Sequence, residues 1–426
     1  SLPSAEEQLV SDVVLVLDKS TSMGLKEQAL EMLQNLKKEV QEKGAKVKVG
    51  VVLFNKEAHT DGFMDLETQY EAIEAAICRE IKSGTNLHAG ILAGKSMLDQ
   101  DTGVADERKT LVVVSDGITY MFNENPTAVA WGFMADSPKH FAGPDNWNSK
   151  YGNNQAPADW NTWLTGIEAR LSEQKDTHDY PYGTEPDVSL ITPVEEAGKY
   201  VNSIDKALYL SYEAYAQAAS EGYHCYAMPI TPLGTASNYE WGMSFMRYLA
   251  NGKQVSFDSI KNDILYAVDK GSVVKDYMGY VKEDYNFDFD HLDQLTVGGK
   301  ALSMYQEGNT WYFGDGEPGP QNYRFKVVYD AGNKAETEMF TWYIEEPVSN
   351  FAPVQLTYTV KLINPKTADG TYGKYDRDGS QHYEGLYTNQ EAVLYPVDSR
   401  GNEYRSEEFA KPTVSYVVEH GTPEPG

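Results

Sequence analysis

Residues 12–24 read DVVLVLDKSTSMG, and the fold is decided there. From Val13 to Leu17 the run is apolar and rich in Val and Leu, which predicts a strand buried on both faces. Asp18, Ser20 and Ser22 then fall at alternate positions before Gly24. A carboxylate and two hydroxyls beyond the carboxyl end of a buried strand form an oxygen-only set. Such a set suits a hard divalent cation such as Mg²⁺ rather than zinc or copper. Open α/β sheets also place their ligands just beyond the carboxyl ends of the strands.

Working outward, Ala29, Leu33, Leu36 and Val40 recur at helical spacing and predict an amphipathic helix ending near Gly44. KVKVGVVLFN (46–55) predicts a central strand, and Tyr70, Ile73 and Ile77 mark a second helix. After the loop SGTN (83–86), capped at Thr85, Leu87, Ile91 and Leu98 mark a third helix. KTLVVVSDG (109–117) is another buried strand and again ends on a carboxylate, Asp116. Strand and helix in alternation predict an α/β fold with a doubly wound, mostly parallel sheet.

From about Thr119 to Asn202 the rhythm breaks. Trp131, Phe133, Phe141, Trp147, Tyr151, Trp160, Trp163, Tyr180 and Tyr182 are interleaved with Asn, Asp, Gly and Pro, and one helix is expected over 156–174. A structureless loop of that length is unusual, so 119–202 reads as a folded insertion. The pattern resumes with a helix through Ile204, Leu208, Tyr212, Tyr215 and Ala219, and a strand YHCYAMPI (223–230). Helices over 237–250 and 256–267 complete a first domain of 1–270. Beyond it, RFKVVYD, QLTYTVKL and AVLYPVD are each followed by turn residues. They predict an all-β, Ig-like sandwich over 271–420, with GTPEPG (421–426) as a linker.

The net charge of −28 argues against nucleic acid or an anionic membrane as partner. No apolar run approaches the roughly 20 residues of a membrane helix, and SLPSAEEQLV carries no signal-peptide pattern, as expected of a mature fragment. The two cysteines, Cys78 and Cys225, do not make a disulfide framework. They read as small buried residues, with a single bridge as the alternative. AGILAGKS (89–96) matches a relaxed phosphate-loop pattern but falls inside a helix, where that loop does not occur. YDRDGSQ (375–381) has half of a calcium loop without the closing glutamate, and reads as a solvated turn. No catalytic His, Cys or Ser constellation is present, so a non-enzymatic protein is expected. A hydrolase using Asp18 or Asp116 ranks below it.

Asp18-x-Ser20-x-Ser22, Thr85 in SGTN and Asp116 in SDG together resemble the metal-ion-dependent adhesion site of von Willebrand factor type A domains. Thr21 stands where that motif usually has Gly. The resemblance implies that Asp18, Ser20, Ser22, Thr85 and Asp116 hold Mg²⁺, or Ca²⁺ or Mn²⁺, with an open position for a partner's carboxylate. The competing reading of any one segment is a helix cap.

A type A domain with a large insertion, followed by a β-sandwich, resembles Gram-positive surface and pilus-tip adhesins. There the inserted arms rise around the metal. Residues 119–202 start directly after Asp116, on the metal face. Their aromatics are then either an adhesive surface or the core of the insertion. YTNQEAVLYP (387–396) and VVKDYMG (273–279) resemble the strands of adhesin domains that form a Lys–Asn isopeptide bond, with Asn389 as acceptor and Asp276 as assisting acid. In tip pilins whose type A domain is itself inserted into a β-sandwich, which this layout also resembles, the lysine lies upstream of the type A domain. The first lysine here is Lys19, so either the sandwich is truncated or another lysine such as Lys300 or Lys361 serves.

These resemblances imply an extracellular adhesin on a pilus or cell wall. It would bind a protein or glycan ligand on a host or neighbouring cell. The alternative is a structural subunit that assembles with other pilus proteins.

Overall fold

The computed structural model describes residues 10–43, 46–129, 155–173, 179–184, 201–230, 238–265, 268–349, 352, 354–397, 401, 403 and 406–421. The first part of the chain runs β1 (Val10–Asp18), α1 (Met23–Lys43), β2 (Lys46–Phe54), β3 (Ala58–Asp65), α2 (Tyr70–Cys78), α3 (Leu87–Gln100) and β4 (Lys109–Ser115). It continues through β5 (Thr127–Val129), α4 (Trp160–Glu173), β6 (Asp179–Pro181), α5 (Ser203–Ser220), β7 (His224–Pro229), α6 (Asn238–Leu249) and α7 (Phe257–Leu265).

Five strands form one sheet in the order β3-β2-β1-β4-β7. Every neighbouring pair is parallel except β2 and β3. β1 lies at the centre and is buried from Ser11 to Asp18, as its uninterrupted Val and Leu demand. In α1, Ala29, Leu33, Leu36 and Val40 are all buried, one stripe of an otherwise polar helix. β3 was not legible in the sequence. AHTDGFMD is half-exposed along an edge, so no face of it carries a continuous apolar signal. The AGILAGKS segment lies inside α3, where no phosphate loop can form.

In the insertion, β5 pairs antiparallel with β6. α4 does not close a separate core. Trp160 meets Trp241 of α6 edge-on at 5.7 Å, and its Nε1 donates to Ser244 Oγ at 2.9 Å. Trp160 and Tyr180 are buried, whereas Tyr182 is 37% exposed. Trp131, Phe133, Phe141, Trp147 and Tyr151 lie outside the described residues.

The second part carries β8 (Val273–Met278), β9 (Tyr280–Val281), β10 (Tyr285–Val297), β11 (Lys300–Ala301), β12 (Ser303–Glu307), β13 (Thr310–Gly314) and β14 (Phe325–Asp330). After these come β15 (Met339–Ile344), β16 (Val354–Leu362), β17 (Gly370–Asp376), β18 (Leu386–Tyr387), β19 (Asn389–Tyr395), β20 (Glu407–Glu408) and β21 (Thr413–Val418). A sheet of order β12-β13-β14-β15-β8-β19-β20 shares a core with one of order β11-β10-β16. Leu292, Leu295 and Val354 from the smaller sheet meet Phe313, Phe325, Phe340 and Ile344 from the larger, which is a β-sandwich. β17-β21-β18 form a further small sheet. The 13 residues of β10 escaped sequence reading because bulges at Phe289/His291 and Leu292/Gln294 interrupt its alternation.

The chain divides into one compact unit of Gln8–Ile264 and another holding Leu265–Gly426. The division therefore falls at the end of α7 rather than at 270/271. No disulfide joins Cys78 and Cys225, and both are half-buried, more exposed than the sequence suggested.

Candidate metal centre

Because β1 and β4 are parallel neighbours, with Leu17 opposite Val114, Asp18 and the Ser115–Asp116 corner emerge together at the carboxyl edge of the sheet. Asp18 is 1% exposed. Its Oδ2 accepts from Ser115 Oγ at 2.8 Å, and its Oδ1 accepts from the Ser20 backbone N–H at 3.1 Å. Thr21, which the motif leaves without a metal role, pins the loop instead. Its N–H and hydroxyl both donate to the Asp18 carbonyl, at 2.9 and 2.6 Å. Ser22 Oγ accepts from Leu25 N–H at 3.3 Å, so it caps α1. A hydroxyl oxygen has two lone pairs, and capping leaves one for another partner.

Thr85 enters from the loop after α2 and is buried. The cap of α3 is Asn86 rather than Thr85, with Asn86 Oδ1 accepting from Ala89 N–H at 2.9 Å. Asn86 N–H also donates to the Asn55 carbonyl at 2.7 Å, and the Thr85 carbonyl accepts from Tyr120 N–H at 3.4 Å. Thr119 Oγ1 accepts from Leu87 N–H at 3.1 Å. These bonds tie the Thr85 loop to the ends of β2 and β4. Asp116 Oδ1 accepts from Ile118 N–H at 2.9 Å, which leaves its other oxygen outside that turn.

Burial pushes the Asp18 carboxyl above its ordinary range, against the hydrogen bonds from Ser20 and Ser115. Burial first, then the neighbouring Asp18 charge, pushes Asp116 up to about 7, while Ser20 acts to lower it. The fold thus holds two desolvated carboxylates close together against their mutual repulsion, with hydroxyls around them. A divalent cation reverses both penalties, so the residues present fit one. Two formal charges and several neutral oxygens leave such an ion electrophilic. Among the described residues no group of three or more His, Cys, Asp or Glu is placed to hold a metal. Ser115, Thr119 and Tyr120 were missed from sequence, since each acts through another residue. Burial, then Tyr182 and Asp18, raise the Tyr120 phenol to about 12.

Asn389 on β19 and Asp276 on β8 also meet. Asn389 Nδ2 donates to Asp276 Oδ1 at 2.5 Å and to the Tyr358 hydroxyl at 2.5 Å. That hydroxyl donates to Asp276 Oδ2 at 2.9 Å. Burial raises Asp276 to about 6, and the three residues line a cavity of about 420 Å³. Lys361 is engaged by Asp290 at 2.5 Å, and Lys300 is exposed on β11. Among the described residues no lysine hydrogen-bonds Asp276 or Asn389. Tyr358 had no distinguishing signal in sequence. In the YDRDGSQ turn, Asp376 accepts from Gly379 N–H at 3.1 Å and Gln381 N–H at 2.8 Å, as a turn-forming residue does.

No match exists among curated protein sequences. Solved structures similar to this chain include the open conformation of the pilus adhesin SpaC from Lactobacillus rhamnosus GG. That similarity is 14% identity and TM-score 0.35, covering 96% of this chain and 43% of that one. The vWF domain of the type V pili tip protein Mfa5 from Porphyromonas gingivalis is similar at 15% identity and TM-score 0.35, covering 60% and 95%. The pilus adhesin RrgA from Streptococcus pneumoniae is similar at 12% identity and TM-score 0.30, covering 97% and 61%. The chain spans less than half the length of the SpaC structure it matches. Residues 13–118, from β1 through the Asp116 corner, match the family model of the von Willebrand factor type A domain.

Proposed function

We propose that this protein is an extracellular adhesin of a bacterial pilus or cell wall. In this reading Asp18, Ser20, Ser22, Thr85 and Asp116 hold one divalent cation, Mg²⁺ or a close substitute. The observation that carries it is the pair of carboxylates, buried Asp18 and half-buried Asp116, held close together with hydroxyls at the carboxyl edge of the sheet. The type A family match over the same segment supports it. When bound, the cation supplies an electrophilic position for an acidic oxygen of a protein or glycan ligand. The chain's own contribution is rigidity: Ser115 and the Ser20 amide orient Asp18, and the Ile118 amide orients Asp116.

Asn389 and Asp276 are proposed as the acceptor half of a Lys–Asn isopeptide site. A lysine Nζ would bond to the Asn389 Cγ, and the side-chain nitrogen would leave as ammonia after Asp276 passes it the amine proton. No described lysine supplies that amine.

The test of the adhesive reading is binding of the full chain to an array of extracellular-matrix proteins and glycans, in Mg²⁺ and in EDTA. Binding that needs Mg²⁺ and is lost in Asp18→Ala is expected. Binding unchanged by either would refute the metal-dependent mechanism, and would favour assembly with other pilus subunits.

A further inference from the structure

Directly behind Asp18 lies a second feature, a cavity of about 330 Å³ bounded by the β1–α1 loop, the start of α1 and the segment after α2. Four cations line it: Lys19, Lys26, Arg79 and Lys82. Only two carboxylates do, Asp18 and Glu80. In a chain of net charge −28 this local excess of positive charge is an anomaly that solubility does not explain. Lys26 is the anchor. It is 8% exposed, and its ammonium donates to the Arg79 carbonyl across a long 3.5 Å contact. An ammonium has three protons to donate, and burying one with so little compensation costs free energy. Arg79 pairs Asp61 through Nη2 at 2.9 Å, which leaves other guanidinium protons available. Among the described residues no carboxylate lies within ion-pair distance of Lys26 or Lys82.

We propose that this cavity is an anion subsite, which receives a carboxylate side chain of an acidic protein segment. It deepens the adhesive reading and rests on it for the source of the anion. Asp18 is shared: it belongs to the proposed metal cluster and also lines the cavity. A ligand with two nearby acidic side chains can then place one on the cation and one among the lysines. The volume falls in the range of small-ligand sites. A concave pocket around a buried lysine suits a single side chain, whereas a sulfated polysaccharide needs an open basic track. Attraction here also offsets the repulsion that a strongly acidic protein exerts on any acidic partner, which would otherwise suppress encounter.

The probe is a fluorescent tetraglutamate peptide, titrated with the full chain in low salt, once with EDTA and once with Mg²⁺. Saturable binding is expected in EDTA. It should weaken at least about tenfold in Lys26→Gln, in Lys82→Gln and in the double variant, a change of about 1.4 kcal/mol per factor of ten. Lys82 is exposed, so its variant reports on charge without disturbing packing, and circular dichroism checks the fold of the others. A further gain with Mg²⁺ supports the shared arrangement. Lysine-dependent binding with no gain from Mg²⁺ supports the subsite while refuting the metal reading. Absence of saturable binding, or binding unchanged in the double variant, overturns the proposal. So does preference for a sulfated heparin disaccharide over the peptide.

Discussion

Gly242 of α6 packs its backbone directly against the Asp116 carbonyl. A methyl group added at 242 would overlap that oxygen, and a Cβ at Gly117, which has φ +72°, would overlap the Gly242 carbonyl. The corner that presents Asp116 is thus clamped between β4 and a helix more than 100 residues away in sequence. Gly242→Ala is expected to cost about 1–3 kcal/mol of stability through overpacking and to weaken Mg²⁺ binding in the same protein. Urea unfolding and calorimetric Mg²⁺ titration measure the two effects.

Ser115 offers a cleaner probe of orientation, because its hydroxyl touches both Asp18 and the Gly117 amide, the latter at 3.0 Å. Ser115→Ala should weaken Mg²⁺ affinity about 10- to 100-fold, the usual effect of removing a partner that orients a ligand. Asp18→Ala should abolish it. Equal Mg²⁺ affinity in wild type and Ser115→Ala would remove Ser115 from the site.

Trp160 anchors α4 to α6 and is 6% exposed. Trp160→Ala should destabilise the first unit by about 3–5 kcal/mol, visible as an earlier unfolding transition. An effect within experimental scatter would mean that the insertion folds apart from the sheet domain.

Asp276 sets a pH dependence whose sign is fixed by its burial. Its carboxyl binds a proton more tightly when folded, at about 6 against 3.8 when free. Its contribution is therefore fully present below about 4 and is lost as pH rises through about 6. The shift corresponds to about 3 kcal/mol. Asp276→Asn should lose this decline, so the difference from wild type in urea titrations should grow from pH 4 to pH 7.

Among the described residues no lysine hydrogen-bonds Asn389, and the 426-residue chain is expected to keep its full sequence mass. Loss of one ammonia that disappears in Asn389→Ala would instead locate the donor within this chain.

Local pattern carried much of this protein. The apolar runs at 13–17 and 111–114 fixed two buried strands, because an uninterrupted apolar segment has no solvent face to offer. The helical stripe of Ala29, Leu33, Leu36 and Val40 was equally direct. The order of Asp18, Ser20, Ser22, Thr85 and Asp116 was visible because a recognisable motif marks each position.

Tertiary structure alone decided what surrounds them. Ser115, Tyr120 and Gly242 acquire their roles only when the order β3-β2-β1-β4-β7 and the packing of α6 bring distant segments together. Lys26, Arg79 and Lys82 are ordinary residues in sequence, and become a cationic pocket only once α1 and the segment after α2 face one another. Edge strand β3 and bulged β10 stayed hidden because partial exposure and register shifts erase periodicity. Propensity and periodicity act over a few residues, whereas a site is defined by which strand ends become neighbours.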